Sequence, residues 1–150
     1  QLVSDSSGVL PPFLAKNPGL ESGWMIAQFT AASIASENKT LAHPASADSI
    51  PTSGNKEDFV SMGMWGALKF DKVVENVATI AALELLAAAQ GVEYHAPLKP
   101  GKGVCRTLKL VRDIAPALNG DESIAAHIAF VRKAVLNGVF AVVGRAEGQS

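Results

Sequence analysis

Residues 61–90 read SMGMWGALKFDKVVENVATIAALELLAAAQ and contain no proline. Polar residues recur there at intervals of three and four positions, which predicts one polar stripe along a helix, formed by Lys69, Lys72, Asn76 and Thr79. The apolar residues of the same half are expected to face the other way, so this half is predicted to be amphipathic; they are Phe70, Val73, Val74, Val77, Ile80 and Ala81. Gly91 follows in the position of a C-terminal cap. The pattern therefore predicts one helix of about 30 residues, about 45 Å long at roughly 1.5 Å per residue.

The second half of this predicted helix, residues 80–89, is apolar on every side except at Glu84. A helix this long exceeds what a domain of 150 residues needs, so we expect its bare half to be covered by other chains or by parts of the protein outside this sequence. We therefore expect an all-α protein with a long central helix, shorter helices and a long loop, as part of a larger helical bundle. A buried Glu84 would be costly to ionise, and we interpret it as a structural contact at a subunit interface rather than an active-site acid.

Toward the amino terminus, residues 1–22 are rich in Ser, Gly and Pro and predict an irregular lead-in. Ser22 is a candidate N-cap for a helix over residues 23–39, whose apolar side chains occupy nearly every angle and predict burial on all sides. Between residues 40 and 60 the periodicity gives way to prolines and short polar residues, which predicts a loop. Loops of about 20 residues are usually functional or disordered. Either the loop is solvated, or it packs between its helices and its carboxylates are partly desolvated.

Toward the carboxyl terminus, a basic loop over residues 95–103 precedes two shorter predicted helices. The first has apolar residues at positions 104, 108, 111 and 115 and is stopped by Pro116. Asn119 and Glu122 form a candidate capping box for the last helix, which should end near residues 137–138. The inner face of that helix is predicted to consist of Ile124, Ile128, Val131 and Val135.

The tail sequence VFAVVG, residues 139–144, fits a strand or a frayed helix equally well. These features divide the chain into three parts. They are an irregular lead-in (1–22), a helical segment (23–138) and a tail (139–150).

The composition argues against several partners and compartments. A net charge of −1 gives no long-range field, so neither nucleic acid nor an anionic membrane is a favoured partner. The sole cysteine, Cys105, excludes an intrachain disulfide and fits a reducing compartment, so we expect a cytoplasmic protein. The chain opens without Met or a secretory signal, and we expect it to begin inside a longer protein. The low-charge run over residues 80–89 is too short to span a bilayer.

Motifs for metal, phosphate or hydrolytic chemistry receive little support. His43, His95 and His127 are far apart and belong to no HExxH motif, so no metal site is expected. Residues 99–103, KPGKG, lack the spacing of a phosphate-binding loop. There is no Gly-x-Ser-x-Gly motif, so a hydrolase of that kind is not expected.

Five short motifs follow one another between residues 19 and 63: SGWMIAQ, ASENK, LAHPAS, DSIPTS and an ED pair before VSMG. In this order and at these spacings they resemble the carboxyl-terminal part of histidine ammonia-lyases and their aromatic amino-acid relatives. The likeness continues more weakly to about residue 112 and then fades. It covers roughly two thirds of the chain.

The resemblance implies an enzyme in which a methylideneimidazolone, formed from an internal Ala-Ser-Gly, activates an aromatic amino acid. A tyrosine base then removes a proton and ammonia leaves, so that histidine gives urocanate. It also implies a homotetramer whose active sites are shared between subunits. This chain contains no Ala-Ser-Gly, and the Thr-Ser-Gly at residues 52–54 lies in the wrong context. The electrophile, the base and the groups that bind the substrate carboxylate are thus expected outside residues 1–150.

One active-site position is expected within the chain. By resemblance, Glu57 matches the acidic residue that histidine ammonia-lyases place near the substrate side chain, where relatives acting on phenylalanine or tyrosine commonly have an amide. A buried carboxylate facing an apolar ring would be left unpaired, whereas an imidazole N–H satisfies it, so Glu57 favours histidine. Lys56 replaces the usual Gln, and Phe59 replaces the usual His. These neighbours complete the candidate substrate-binding set: Lys56, Glu57 and Phe59.

Three alternatives stay open at this point. Because Phe59 makes the neighbourhood apolar and Lys56 could neutralise Glu57, phenylalanine or tyrosine remains possible as the substrate. The family likeness does not separate a lyase from an aminomutase. A non-catalytic helical module that only oligomerises is the competing class. For the isolated chain we expect no lyase activity and a tendency to self-associate.

Overall fold

The computed structural model describes residues 10–141 and 143, and within them the chain is helical, without a named strand. The prediction of an all-α protein with one long helix is confirmed. Three 3-10 turns lie before and within the long loop: Pro12–Leu14, Ala45–Ala47 and Ser53–Asn55. The four α-helices are α1 (Met25–Leu41), α2 (Gly63–Glu93), α3 (Lys102–Ile114) and α4 (Ala125–Leu136).

Helix α2 is the element against which the others pack. It spans 31 residues, and α1, α3 and α4 all contact it. Small side chains on its carboxyl-terminal half allow close approach of these helices, and most of the buried core lies there. The α2 residues in this core are Ala82, Leu83, Leu86, Ala87 and Ala89. The expectation that other chains must cover this half is therefore wrong, because α1, α3 and α4 of the same chain pack on α2.

The predicted end of α2 at Gly91 is wrong, because the helix continues to Glu93. Gly91 is buried, and a Cβ built there would lie 3.6 Å from Cδ1 of Leu10, which is an ordinary contact. Packing of the lead-in against this turn keeps it helical, and tertiary context here overrides the usual preference of glycine for a helix end. A bidentate pair between Arg112 and Glu93, with an Nε–Oε1 distance of 2.6 Å, then joins α3 to the last turn of α2.

In the amino-terminal half of α2, the polar stripe faces α1. The Asn76 side chain is 5% exposed and donates hydrogen bonds to Glu37 Oε2 (2.7 Å) and Asn38 Oδ1 (2.8 Å). On the opposite, apolar side Phe70 is 69% exposed and Val77 is 53% exposed. The polar end of α1 supplies partners for Asn76 and thus allows its burial, while Lys72 of the same stripe keeps 54% of its side chain exposed.

Helix α1 differs from prediction at its start and in its burial. It begins at Met25 with Trp24 as N-cap residue, and Ser22 makes no side-chain cap. Among its residues only Ala27 is buried, while Ile26 and Phe29 are 60% and 65% exposed. The described residues therefore do not bury α1 on all sides, contrary to the prediction.

The lead-in docks onto the helices and contributes to the core. Leu14 and Ala15 are buried, and the Tyr94 hydroxyl donates to the Leu14 carbonyl at 3.0 Å. Gly23 has φ +53, and a Cβ there would lie 2.6 Å from the Phe13 carbonyl oxygen, so this close approach requires glycine. The division at residue 22 stays a prediction, and residues 1–9 lie outside the described part.

The carboxyl-terminal helices follow the sequence closely except at one start. Helix α3 ends before Pro116 and α4 ends at Leu136, both as predicted. The capping-box prediction is wrong: the Asn119 N–H donates to Glu122 Oε1 at 3.1 Å, but this closes a turn, and α4 begins only at Ala125. Of the predicted inner face, Val131 is fully buried.

The first tail residues form helical turns rather than a strand. The Ala141 N–H donates to the Gly138 carbonyl at 3.0 Å, and the Val143 N–H donates to the Phe140 carbonyl at 3.3 Å. Residue 144 and the rest of the tail lie outside the described residues.

By length and composition, α2 is the one helix in the described part that could cross a membrane. Its apolar stretch is thus longer than the run of residues 80–89 considered from the sequence. However, 44% of the most apolar window is buried inside this chain. A buried core helix of a soluble protein meets the same criteria, so one such helix is weak evidence for a membrane span.

Candidate functional site

The loop between α1 and α2 is closed by three contacts that lie one inside the other. At its base, the Lys69 ammonium donates to the His43 carbonyl. Further along, the Val60 N–H donates to the Ser49 hydroxyl oxygen at 2.9 Å. Near the tip, Thr52 and Glu57 form an antiparallel backbone bridge with N–O distances of 3.0 and 3.4 Å. The loop is therefore a folded hairpin-like excursion, which is the irregular segment that the sequence predicts.

The tip of this loop has an unusual backbone. Ser53, Gly54 and Asn55 all have positive φ, at 53°, 65° and 68°. The left-handed region is open to glycine and tolerated by Asn, but for Ser53 it costs on the order of 1 kcal/mol. The Asn55 N–H donates to the Thr52 carbonyl at 3.0 Å and closes the turn. The turn reverses the chain and brings Thr52 opposite Glu57.

The three predicted site residues lie together at this tip. The Thr52 hydroxyl donates to Glu57 Oε2 at 2.9 Å, while Lys56 and Phe59 flank Glu57 with exposed side chains. The interpretation of a packed, partly desolvated loop does not hold in this chain, because residues 51–59 are all exposed. Among the described residues, no ion pair joins Lys56 to Glu57, so Lys56 does not neutralise the carboxylate here.

A cavity of about 490 Å³ lies below the loop, against the first turns of α2. It has an aromatic ring, from Trp65, and three titratable side chains. Neither this cavity nor the contribution of Thr52 and Lys69 to the loop was anticipated from the sequence. The only sequence signal for Thr52 is its position five residues before Glu57, which is uninformative until the turn between them is known. The cavity is lined by His43, Pro44, Ala45, Ala47, Asp48, Ile50, Met62, Trp65 and Lys69.

A second cavity, of about 610 Å³, lies between α1 and the carboxyl-terminal half of α2. Its lining is mainly apolar and includes Gln28, Glu84 and His95. Glu84 is exposed, so the expectation of a buried carboxylate at this position is wrong for this chain. The described part of the chain holds no group of three or more His, Cys, Asp or Glu residues suited to a metal ion.

The carboxyl groups with perturbed pKa lie away from the loop. The Ser22 and Gly23 backbone N–H groups donate to Asp121, and these bonds lower the pKa of that carboxyl below its ordinary value. The Asn17 amide, followed by its backbone N–H, lowers the pKa of Glu21 in the same way. Both carboxylates stabilise the turn through which the lead-in enters α1.

The Thr-Ser-Gly at residues 52–54 has a geometry that does not suit it as a source of the electrophile. The Thr52 hydroxyl is engaged with Glu57, and Ser53 lies at an exposed, left-handed tip. A methylideneimidazolone formed from Ala-Ser-Gly therefore does not fit the residues present in this chain.

The chain is similar to one family along most of its length. The family model described as "Aromatic amino acid lyase" matches residues 1–113. Histidine ammonia-lyase of Natranaerobius thermophilus is 50% identical over 129 residues, which are 86% of this chain and 25% of that protein. The enzyme of the same name from Anaeromyxobacter sp. strain K is 51% identical over 138 residues, 92% of this chain and 27% of that protein.

Solved structures agree with these relatives. Histidine ammonia-lyase from Trypanosoma cruzi matches with a TM-score of 0.91 and 45% identity, over 97% of this chain and 28% of that one. Tyrosine aminomutase from Streptomyces globisporus matches with a TM-score of 0.85 and 36% identity, over 94% of this chain and 27% of that one. The chain thus spans about a quarter of the length of the curated relatives, at 25% and 27%. The resemblance noted in the sequence is confirmed, and the chain belongs to the aromatic amino acid lyase family.

Proposed function

We propose that this chain is the carboxyl-terminal part of an ammonia-lyase subunit that converts L-histidine into urocanate and ammonia. By itself the chain is inactive, because the remaining parts of the site lie elsewhere in the subunit. The observation that carries the substrate proposal is the Glu57 carboxylate at the loop tip, with Oε2 held by Thr52. The names of relatives about half identical to the chain support the same reaction.

Glu57 would select the substrate through its second carboxylate oxygen. Among the described residues, Oε2 is the oxygen that accepts a hydrogen bond, and Oε1 can accept one from an imidazole N–H. When the rest of the subunit covers the loop, an apolar ring would leave this carboxylate without a partner. Leaving a buried charged group without a hydrogen-bond partner costs more free energy than leaving a buried neutral polar group without one. Histidine is therefore favoured over phenylalanine as the substrate.

The rest of the protein would contribute the chemistry that this chain lacks. A methylideneimidazolone, supplied by an Ala-Ser-Gly outside this chain, would act as the electrophile. Exposed apolar side chains on α1 and α2, such as Phe29 and Phe70, fit coverage by other helices of a homotetramer. We place the protein in the cytoplasm on the single, exposed Cys105.

A phenylalanine or tyrosine substrate is the second candidate, favoured by one observation. Phe59 is 72% exposed beside Glu57 and would give a covered site an apolar wall. The aminomutase neighbours keep amino-group migration among the candidate reactions. Lys56, on the other side of Glu57, would lower the cost of burying the carboxylate opposite such a ring if it turned inward.

A chimeric subunit tests these proposals. Residues 1–150 would replace the matching quarter of the Anaeromyxobacter histidine ammonia-lyase, and histidine and phenylalanine would be supplied separately. We expect the ultraviolet absorbance of urocanate to appear with histidine. Formation of cinnamate from phenylalanine, without urocanate from histidine, would overturn the proposal that histidine is the substrate. It would leave the proposal of an ammonia-lyase reaction intact. A folded tetramer inactive on both would favour the non-catalytic module.

A further inference from the structure

We propose that Thr52 is a positioning residue for substrate recognition: its hydroxyl holds Glu57 Oε2 and thereby directs Oε1 toward the substrate side chain. This inference rests on the proposed function of Glu57. The contact is a single hydrogen bond of 2.9 Å from Thr52 Oγ1, toward the long end of the range for O–H···O hydrogen bonds.

The backbone sets the distance between these two side chains. Thr52 and Glu57 are opposite residues of an antiparallel bridge and exchange hydrogen bonds of 3.0 and 3.4 Å. Directly opposite residues point to the same side, with Cβ atoms about 5 Å apart. A short hydroxyl side chain and a longer Glu side chain can therefore meet without distortion of the loop.

The register of this bridge is fixed from both ends. At the tip, three consecutive residues with positive φ, including Ser53 and Asn55, form a turn of one defined length. At the stem, the bond from Val60 N–H to the Ser49 hydroxyl holds the two sides together. A slip by one residue would break these contacts and turn Glu57 to the opposite side. The pair is thus held in one register, so Thr52 consistently faces Glu57.

The hydroxyl restricts the freedom that matters for recognition. The terminal torsion of a glutamate is broad, so a free carboxylate presents its oxygens over a wide range of angles. A hydroxyl has one proton to donate, and donating it to Oε2 leaves Oε1 as an acceptor. Thr52 thus orients the carboxylate and leaves its negative charge in place. Lys56, by contrast, would neutralise that charge if its side chain turned inward.

The test compares two substitutions in the chimeric subunit. Thr52→Val keeps the shape and removes the donor, whereas Thr52→Ser keeps the donor. Because the imidazole contact forms in both the bound substrate and the transition state, we expect Thr52→Val to raise KM for histidine about tenfold, with kcat changed much less. Thr52→Ser should restore KM to within about threefold of the unsubstituted value.

Phenylalanine and a matched control separate positioning from a structural role. Turnover of phenylalanine should not fall in Thr52→Val, because its ring offers no donor to Glu57. Thr107→Val removes a hydroxyl bond of 3.1 Å to the Gly103 carbonyl on α3 and should leave KM for both substrates unchanged.

Two outcomes would overturn the proposal. One is an unchanged KM for histidine in Thr52→Val; the other is an equal loss with Thr52→Ser and with both substrates, which indicates a structural role. If the unsubstituted chimera is tetrameric and forms no urocanate, the proposed function fails and this inference fails with it. An active chimera that is insensitive to Thr52→Val overturns the positioning role alone.

Discussion

At the scale of single residues, Glu57 and Asp121 show what a carboxylate does in two surroundings. Glu57 is exposed at a loop tip and, among the described residues, its side chain accepts one hydrogen bond, from the Thr52 hydroxyl, so it can accept further hydrogen bonds from a ligand. Asp121 accepts hydrogen bonds from the backbone N–H groups of Ser22 and Gly23 and so fixes the turn before α1. The first is suited to binding a ligand and the second to fixing the entry into α1.

Glu57→Gln should separate recognition from stability. In the chimera we expect the kcat/KM for histidine to fall at least about tenfold, because the amide accepts the imidazole N–H more weakly than a carboxylate does. The unfolding free energy should change by less than about 0.5 kcal/mol, since the side chain is exposed. Steady-state kinetics and thermal unfolding measure the two quantities. Unaltered histidine turnover would remove Glu57 from the site.

Asp121 makes the stability of the chain depend on pH in the acid range. Its pKa in the folded state lies below the ordinary value of 3.8, so its contribution is fully present above 3.8 and is lost as the pH falls through the lowered value. Asp121→Asn should therefore destabilise the chain at pH 7, and the difference from the unsubstituted chain should shrink below pH 3.8. Urea unfolding at a series of pH values measures this.

A surface carboxylate provides the control for Asp121. Asp113 forms an exposed i,i+4 pair with Lys109, and such pairs contribute little, so Asp113→Asn should be nearly neutral. A stability difference for Asp121→Asn that stays the same from pH 7 to pH 3 would contradict the assigned cause.

At the scale of elements, the amino-terminal half of α2 buries one polar residue and exposes several apolar ones. Asn76 is buried against the polar end of α1, while its neighbour Val77 is mostly exposed. Asn76→Ala should lower the unfolding free energy by about 1–2 kcal/mol, because it removes two hydrogen bonds and leaves Glu37 and Asn38 without their donor. Val77→Ala should change it by less than about 0.5 kcal/mol. Urea unfolding of both variants measures the two changes in unfolding free energy. A larger loss for Val77→Ala than for Asn76→Ala would show that the apolar face is the covered one.

At the scale of the whole molecule, the described residues leave large apolar side chains uncovered on α1 and α2. They include Phe29, Met64, Trp65 and Phe70, each more than half exposed. The chain is about a quarter of the length of its relatives, so these faces correspond to surfaces that the rest of a subunit or its neighbours can cover.

The isolated 150-residue chain should therefore self-associate and show no lyase activity. Sedimentation across a range of concentrations should reveal species larger than 15.6 kDa. Phe70→Ser together with Val77→Ser should reduce the association, because both side chains are exposed and apolar, whereas Thr107→Val serves as a neutral control. Monomeric behaviour of the unsubstituted chain at high concentration would count against this reading of the exposed faces.

The sequence by itself determined the all-α class, the length of α2 to within a few residues, the irregular loop before it, the stop of α3 before Pro116 and the family. The helices and the loop follow from local periodicity and from proline, which depend on residues close together in the sequence. The family follows from a continuous run of motifs that can be recognised without the structure. Only the tertiary structure decided which face of α2 is covered, that Gly91 lies inside the helix, and that Thr52 meets Glu57. Each depends on a partner that folding brings close, such as Glu37 for Asn76 or the lead-in for Gly91. The local sequence pattern does not identify such partners.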